Sequence, residues 1–234
     1  MKQITIWENE PFLRQRSKEV VFPDKDLKGE IEILKDYCYN GGVGVFAMAA
    51  VQLGIPKRLI FVMHEEEGTI EKPPRDNRND VYINPQIVER KGEVTYWEAC
   101  ASLWNKDGDL FAGKVRRPYQ IKIKYQDEFG KVKTRTMKDF AAVMFSHEYD
   151  HLDGVLHTDK AEEIVFMKRS ELRGLRGQRR EALSQYMIFS KKGEYKPPEI
   201  MPKSYEELKR DYEDLPSEER LKVLGERNGE GENE

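Results

Sequence analysis

The stretch KDFAAVMFSHEYDHL, residues 138–152, carries the strongest structural signal in the chain. Phe140, Met144, His147 and His151 follow the spacing i, i+4, i+7 and i+11, which places them on one face of a helix. Because the two histidines are one turn apart, a single divalent ion can bind both imidazoles. The stretch therefore predicts a helix that packs on a sheet and presents two metal ligands.

A catalytic site with two histidine ligands needs a third protein ligand and an open position. Cys100 is a candidate, because it lies in WEACAS, residues 97–102, directly after an alternating, strand-like stretch. Spacing alone cannot locate so distant a ligand, so the assignment stays open at this point. Cys38 lies on the apolar stripe of a helix predicted from residue 24 to residue 40, and we expect it to fill the core. Two cysteines are too few for a disulfide framework and favour a reducing compartment.

The remaining pattern predicts an α+β fold, with mixed or antiparallel strands around the central helix. A hairpin is expected around the turn at residues 127–130, and Gly154 is expected to end the central helix. Ser204 and Glu207 form a capping-box pattern within a charged C-terminal extension. The other expected elements are strands at 57–63, at 81–84 ended by Pro85, and at 119–125 and 131–137, then a basic helix within 161–186.

Composition bounds the class of protein. The chain has 234 residues, of which 38% are hydrophobic and 35% charged, with a formal net charge of -3 and a mean hydropathy of -0.79. These values favour a soluble protein. They argue against DNA as a partner and against a membrane span. The charged tail with Pro197 and Pro198 marks an extension at 191–234 that ends in disorder, after a domain at 1–190. The first ten residues read as a strand and a turn, with no secretory signal.

Three motifs in order resemble those of the peptide deformylases, GxGLAAxQ, EGCLS and HExDH. The third stands intact as His147-Glu148-Tyr149-Asp150-His151, and the second stands as Glu98-Ala99-Cys100-Ala101-Ser102. The first ends cleanly in Ala49-Ala50-Val51-Gln52. The resemblance covers roughly residues 4–186 and has no counterpart for the tail beyond residue 191.

The resemblance implies a metal held by Cys100, His147 and His151, with a water as fourth ligand. The family ion is usually Fe²⁺, and Zn²⁺, Ni²⁺ or Co²⁺ can replace it. Glu148 is then expected to take the proton of that water and pass it to the leaving amine. The side-chain amide of Gln52 and the backbone N–H of Ala101 are expected to hold the oxyanion. The expected substrate-binding residues are Gly44, Val45, Phe46, Ala47, Glu98, Ala99 and Met144.

The glycine half of the first motif can be matched in two ways. Without a gap, Val45 and Ala47 take the glycine positions, and a positive φ at Ala47 would cost roughly 1–2 kcal/mol. With a gap, Gly42 and Gly44 supply both glycines, and residues 46–48 become an insertion that bulges beside the site. One sequence does not decide between them.

The second motif departs from the family in its pocket wall. Ala99 replaces glycine and Ala101 replaces leucine. The backbone N–H of residue 101 is therefore kept as a donor, while the side chain that would line the substrate pocket there is smaller. No arginine stands in the following loop where the family usually has one to hold substrate. Lys106 and Lys114 are imperfect substitutes, because an ammonium group cannot make a forked contact.

The leading hypothesis is metal-dependent removal of the N-terminal formyl group from formyl-methionyl peptides. One alternative is a deformylase-like metal-binding protein with little or no turnover that binds formylated termini or the ribosome. A second is a zinc endopeptidase, since HExxH occurs in those enzymes as well. The basic helix at 168–180 is a possible ribosome contact on charge alone. The expected compartment is the mitochondrion, without a transit peptide in this chain, or else the cytoplasm.

Overall fold

The computed structural model describes residues 3–40, 46–63, 80–168, 188–190 and 194–216. Within these residues the strands form one antiparallel sheet of seven strands in the order β1-β2-β3-β4-β5, with β6 paired to β4 and β7 paired to β3. The strands are β1 (Ala47–Ala49), β2 (Leu59–Val62), β3 (Asp80–Trp104), β4 (Leu110–Gln126), β5 (Val132–Lys138), β6 (Ala161–Met167) and β7 (Ile188–Ser190). The α+β class is confirmed.

Four α-helices and two 3-10 turns complete the described residues. The helices are α1 (Ile6–Leu13), α2 (Leu27–Asn40), α3 (Asp139–Leu152) and α4 (Tyr205–Leu208), and α4 continues into a π-helical turn at Lys209–Glu213. The 3-10 turns lie at Ala50–Leu53 and His157–Asp159. None of the described helices is long and apolar enough to cross a membrane.

Helix α3 packs on the sheet, as the pattern of residues 138–152 predicts. Its Ala142, Phe145 and Leu152 belong to one buried apolar cluster with residues of β1, β2, β4 and β5. His147 and His151 are also buried, but Phe140 is 42% exposed, so the predicted stripe is only partly right. Leu152 is followed by a turn in which Gly154 has a φ of 73°, as expected for a residue that ends a helix.

The predicted hairpin and the α2 stripe are also confirmed. Strands β4 and β5 pair in regular register from Gln126 and Val132 outward. In α2, Leu27, Ile31, Leu34 and Cys38 are all buried in the core. The capping box is formed, because the backbone N–H of Ser204 donates to Glu207 at 2.8 Å and the Glu207 N–H donates back to the Ser204 hydroxyl at 3.3 Å.

Three expectations for the secondary structure are wrong. Pro85 does not end its strand, because it lies at a register shift between Ile83 and Gln86 where the ladder needs no donor. Residues 161–167 form β6 rather than helix, since Ile164, Val165 and Phe166 bury their side chains while pairing with β4. Helix α1 replaces the expected N-terminal strand. Apart from Lys168, the predicted basic helix at 168–180 lies outside the described residues.

Candidate metal centre

The fold brings the three predicted metal ligands together. Helix α3 places His147 and His151 one turn apart, and Cys100 reaches them from β3. One donor atom from each of these residues lies within 4.8 Å of the other two, and Cys100 Sγ is 3.2 Å from His151 Nε2. Cys100 is 3% exposed and His151 1% exposed, so the donors form a buried cluster.

A bulge in β3 points Cys100 toward the helix. The ladder pairs Ala99 with Ala112 and next pairs Trp104 with Leu110, so four residues of β3 face only Phe111 of β4. Bulges of this kind release a segment from regular pairing and re-aim its side chains. The released segment contains Cys100 and Ala101, which both line the adjoining cavity.

His147 is oriented by a carboxylate behind it. Its Nδ1 lies 2.8 Å from Glu98 Oε2, which leaves Nε2 to face the ligand cluster. This arrangement of carboxylate, histidine and ligand position is typical of protein metal sites, because it sets both the tautomer and the ring angle. No partner for His151 Nδ1 is seen among the described residues. His157 is buried and stacks on His147 with ring centroids 5.5 Å apart.

The Glu98 carboxylate belongs to a buried ionic network. Arg117 donates from Nε to Glu98 Oε1 at 2.6 Å and from Nη2 to Oε2 at 2.8 Å, and its Nη1 donates to Asp150. Lys160 donates to the other oxygen of Asp150 at 2.6 Å. Burial alone would raise the pKa of Glu98, but Arg117 and His147 together hold that pKa well below its usual range. Glu98 is thus a charged carboxylate at neutral pH.

Sequence reasoning missed Arg117, Asp150 and Lys160 as parts of the site. The sequence does contain a signal for Arg117. Its side chain is buried on the same face of β4 as three apolar residues, Val115, Ile121 and Ile123. A buried arginine on the apolar side of a strand requires anionic partners. Glu98 and Asp150, which lie inside the second and third motifs, were the available carboxylates.

The donor set fits a divalent metal ion. A thiol and two imidazoles are soft to intermediate ligands of the kind that bind iron or zinc, and three protein ligands leave one position open. Although burial disfavours the charged imidazole, Cys100 and Glu98 together raise the pKa of His147 well above its ordinary value.

Glu148 and Gln52 flank the ligand cluster. Glu148 is 6% exposed, and its Oε2 accepts the backbone N–H of Ala49 at 2.7 Å. Burial raises the pKa of Glu148 above its usual value. Gln52 Oε1 accepts the same N–H at 3.0 Å, and its Nε2 donates to Ser102 Oγ at 3.1 Å and lies 3.4 Å from Cys100 Sγ. Both side chains are therefore fixed on the side of the cluster that faces the cavity.

A cavity of about 340 Å³ opens onto the donors. Its lining includes the predicted catalytic residues Gln52, Ala101 and Glu148 and the predicted substrate-binding residues Phe46, Ala47, Glu98, Ala99 and Met144. Gly44 and Val45 lie outside the described residues. Lys106 and Lys114 do not line this cavity; Lys114 instead faces Glu163 at 4.0 Å.

The structure removes the strain expected at Ala47. Among the described residues, the non-glycine positions with positive φ are Asn84 and Asp139, so Ala47 is extended. Ala47, Met48 and Ala49 pair with β2 in unbroken register, so the bulge expected from a gapped match of the first motif is not found in this strand. Residues 41–45, which hold its two glycines, lie outside the described residues.

The comparisons agree with this geometry. A model of the family described as polypeptide deformylase matches residues 1–166. A peptide deformylase of Finegoldia magna is 36% identical over 163 residues, which cover 68% of this chain and 89% of that protein. A probable peptide deformylase from Synechococcus phage S-SSM7 is 30% identical with a TM-score of 0.57, covering 68% of this chain and 99% of the other. A Plasmodium falciparum peptide deformylase in complex with an inhibitor is 28% identical with a TM-score of 0.55, covering 77% and 97%. This chain belongs to the polypeptide deformylase family.

Proposed function

We propose that this protein acts on formyl-methionyl peptides with Fe²⁺ as its native ion. As a member of its family it is a metal-dependent hydrolase that removes N-terminal formyl groups. The observation that supports the proposal is the placement of a base and an amide donor beside the three buried ligands, at the wall of one cavity.

A divalent ion held by Cys100, His147 and His151 would act as a Lewis acid and lower the pKa of water from roughly 16 to about 7. Glu148 supplies the base for this chemistry. Its Oε2 is held by the Ala49 N–H at 2.7 Å, which leaves Oε1 to accept a proton from water. Because burial raises the pKa of Glu148, the protonated form can then donate to the leaving amine.

Two donors are placed to stabilise negative charge on the formyl oxygen. Gln52 Nε2 donates to Ser102 Oγ and lies 3.4 Å from Cys100 Sγ, so one of its two amide hydrogens is directed toward the ligand cluster. Ala101 lies in the bulge of β3 and lines the same cavity, so its backbone N–H is the second donor of the proposal. Preorganised N–H donors of this kind are among the largest single contributions to acyl-transfer catalysis.

The cavity wall suits a methionyl side chain. Phe46, Val143 and Met144 line it together with the aromatic rings of Tyr96 and Phe140, which lie 5.6 Å apart. An apolar wall next to a few convergent polar groups is the usual composition of a site that binds a small apolar group in one orientation.

Contact with the ribosome through residues 168–180 and a mitochondrial location stay predictions.

The test is release of formate from a formyl-Met tripeptide by protein loaded anaerobically with Fe²⁺. We expect steady-state turnover that depends on the formyl group, and no cleavage of internal bonds in the unformylated peptide. Binding of the formylated peptide without formate release would instead favour the non-catalytic alternative. Metal analysis of anaerobically purified protein separates iron from zinc as the native ion.

The ligand assignment has its own control. Cys100→Ser should lower metal affinity strongly, because it replaces a thiolate with a poor ligand. Cys38→Ser is the matched variant, since Cys38 lies in a cluster that contains none of the ligands. Equal metal affinity in Cys100→Ser and wild type would overturn the assignment.

A further inference from the structure

The described part of the C-terminal extension, residues 194–216, is bound to the catalytic domain. The backbone N–H groups of Met201 and Lys203 donate to Asp159 at 2.8 and 3.1 Å, and Arg14 Nη2 donates to the Lys203 carbonyl at 2.6 Å. The N–H of Tyr205 donates to Glu10 Oε2 at 3.0 Å. We call residues 194–216 the strap.

The strap is attached at both ends. Near its end, Asn105 Nδ2 donates to Glu213 Oε1 at 3.0 Å, in the turn that follows the bulged end of β3. Near its beginning, Tyr195 lines a cavity of about 210 Å³ with Arg117 and Asp150, behind the metal ligands. Burial raises the pKa of Tyr195 to about 12, in keeping with a phenol enclosed there. These contacts place the strap against two elements that support the site.

Leu208 of the strap packs into the apolar cluster that contains Cys100. Leu208 is 0% exposed and belongs to the same apolar cluster as Cys100 and Leu103. The other buried members of the cluster come from α1, β4 and β6 and from the turn after α3: Ile6, Leu13, Phe111, Leu156, Ile164 and Phe166. Among the described residues, the strap thus packs into the one apolar cluster that contains a predicted metal ligand.

This packing matters because the backbone around Cys100 is not held by a regular ladder. Cys100 and Leu103 both lie in the bulge, where four residues of β3 face Phe111 alone. A segment released from pairing is positioned by the packing of its side chains, and close-packed interiors transmit a change of volume to their neighbours. Leu208 lies beyond residues 1–166, the part that the family model matches.

From these contacts we propose that Leu208 is a positioning residue for the metal centre, and that the strap sets the position of the Cys100 thiolate relative to His147 and His151. The inference rests on the proposed metal site. Leu208 touches neither substrate nor reacting atoms and acts through Cys100.

The test compares full-length wild type and Leu208→Ala after loading each with Co²⁺. A cobalt–thiolate bond gives a charge-transfer absorption band whose energy and intensity report the geometry at sulfur. We expect Leu208→Ala to shift or weaken this band, to release metal to a chelator at least about tenfold faster, and to lower kcat with little change in KM.

Two controls separate positioning from general destabilisation. Leu27→Ala makes the same truncation in a buried cluster that contains no ligand, and Met201→Ala removes as many heavy atoms from a strap side chain that is 53% exposed. We expect both to keep the wild-type band and release rate, even where Leu27→Ala lowers the melting temperature as much as Leu208→Ala does. If Leu208→Ala fails to fold, the smaller change Leu208→Val should move the band and the rate in the same direction.

The outcomes are distinct. A wild-type protein without a cobalt–thiolate band would mean that the proposed metal site is wrong. A wild-type band that Leu208→Ala or Leu208→Val leaves unchanged, with an unchanged release rate, would leave the metal site standing and overturn the role of the strap.

Discussion

Glu98→Gln should weaken metal binding and folding together, by amounts that the contacts of Glu98 allow us to estimate. The Glu98 carboxylate accepts two hydrogen bonds from Arg117, at 2.6 and 2.8 Å, and one from His147 at 2.8 Å. An amide of the same shape carries no charge and has one acceptor oxygen, so at best it keeps the bonds from Arg117 Nη2 and His147 at the Oε2 position and loses the bond from Arg117 Nε.

The loss of metal affinity follows from His147. Removing the carboxylate that orients a histidine ligand typically costs 10- to 100-fold in affinity, which is roughly 1.4–2.8 kcal/mol. The loss of stability follows from Arg117, which is 1% exposed and, within the described part of the chain, would keep only Asp150 as an ionic partner. Breaking a buried pair costs about 3–5 kcal/mol, and the retained amide oxygen favours the lower end of this range. The melting temperature should fall by roughly 6–12 °C for a domain of this size.

The assays are competition with a chromogenic chelator for affinity and urea unfolding of the metal-free protein for stability. Glu162→Gln is the control, because it makes the same change in a pair with Arg116 at 3.1 Å in which the glutamate is 43% exposed. That surface pair should contribute no more than about 1 kcal/mol. Metal affinity of Glu98→Gln within twofold of wild type would refute the orienting role of Glu98, whatever happens to stability.

The pH dependence of the same variant has a defined sign. The folded-state pKa of Glu98 is depressed, so the carboxylate contributes its full stabilisation above its ordinary pKa of 4.5 and loses it as the pH falls through the lower folded value. The stability difference between wild type and Glu98→Gln should therefore be largest near neutrality and shrink in acid. A constant difference between pH 7 and pH 3 would contradict this account.

Three further variants probe the other groups of the site. Glu148→Gln should lower kcat by roughly 10²- to 10⁴-fold in the formate assay and leave the metal content at the wild-type level, because Glu148 is a base and not a ligand. Loss of metal from this variant would show that Glu148 is a ligand. Gln52→Leu should lower kcat by roughly 10²- to 10³-fold with a smaller effect on KM, and a change confined to KM would show that the amide only binds substrate. Cys38→Ala should leave the metal content unchanged and lower the unfolding free energy by about 1 kcal/mol. The reason is that burial keeps the Cys38 thiol protonated, so that its role is packing. Loss of metal from this variant would instead make Cys38 a ligand.

Local patterns could be predicted from the sequence, and contacts between distant segments could not. The helix at residues 138–152 and the capping box at Ser204 depend on neighbours three or four residues apart, so their spacing is visible in the chain. The local pattern predicts helix at residues 161–167, where the structure has β6, because the stability of β6 comes from pairing with β4, which no local pattern records. The strand through Pro85 was cut short for a similar reason, because a register shift depends on the partner strand.

The residues of the candidate site also differ in whether a local pattern predicts them. Spacing along the chain left Cys100 as one open candidate, and only the family resemblance singled it out, because its approach to His151 depends on a bulge whose length is set by pairing with β4. Arg117 could have been predicted from its interior position on an alternating strand, since a buried guanidinium demands carboxylates and the motifs supply two, Glu98 and Asp150. A search for charged residues at apolar positions of predicted strands would therefore find the support of a metal site more readily than a search for the ligands themselves, because the rule it uses is local.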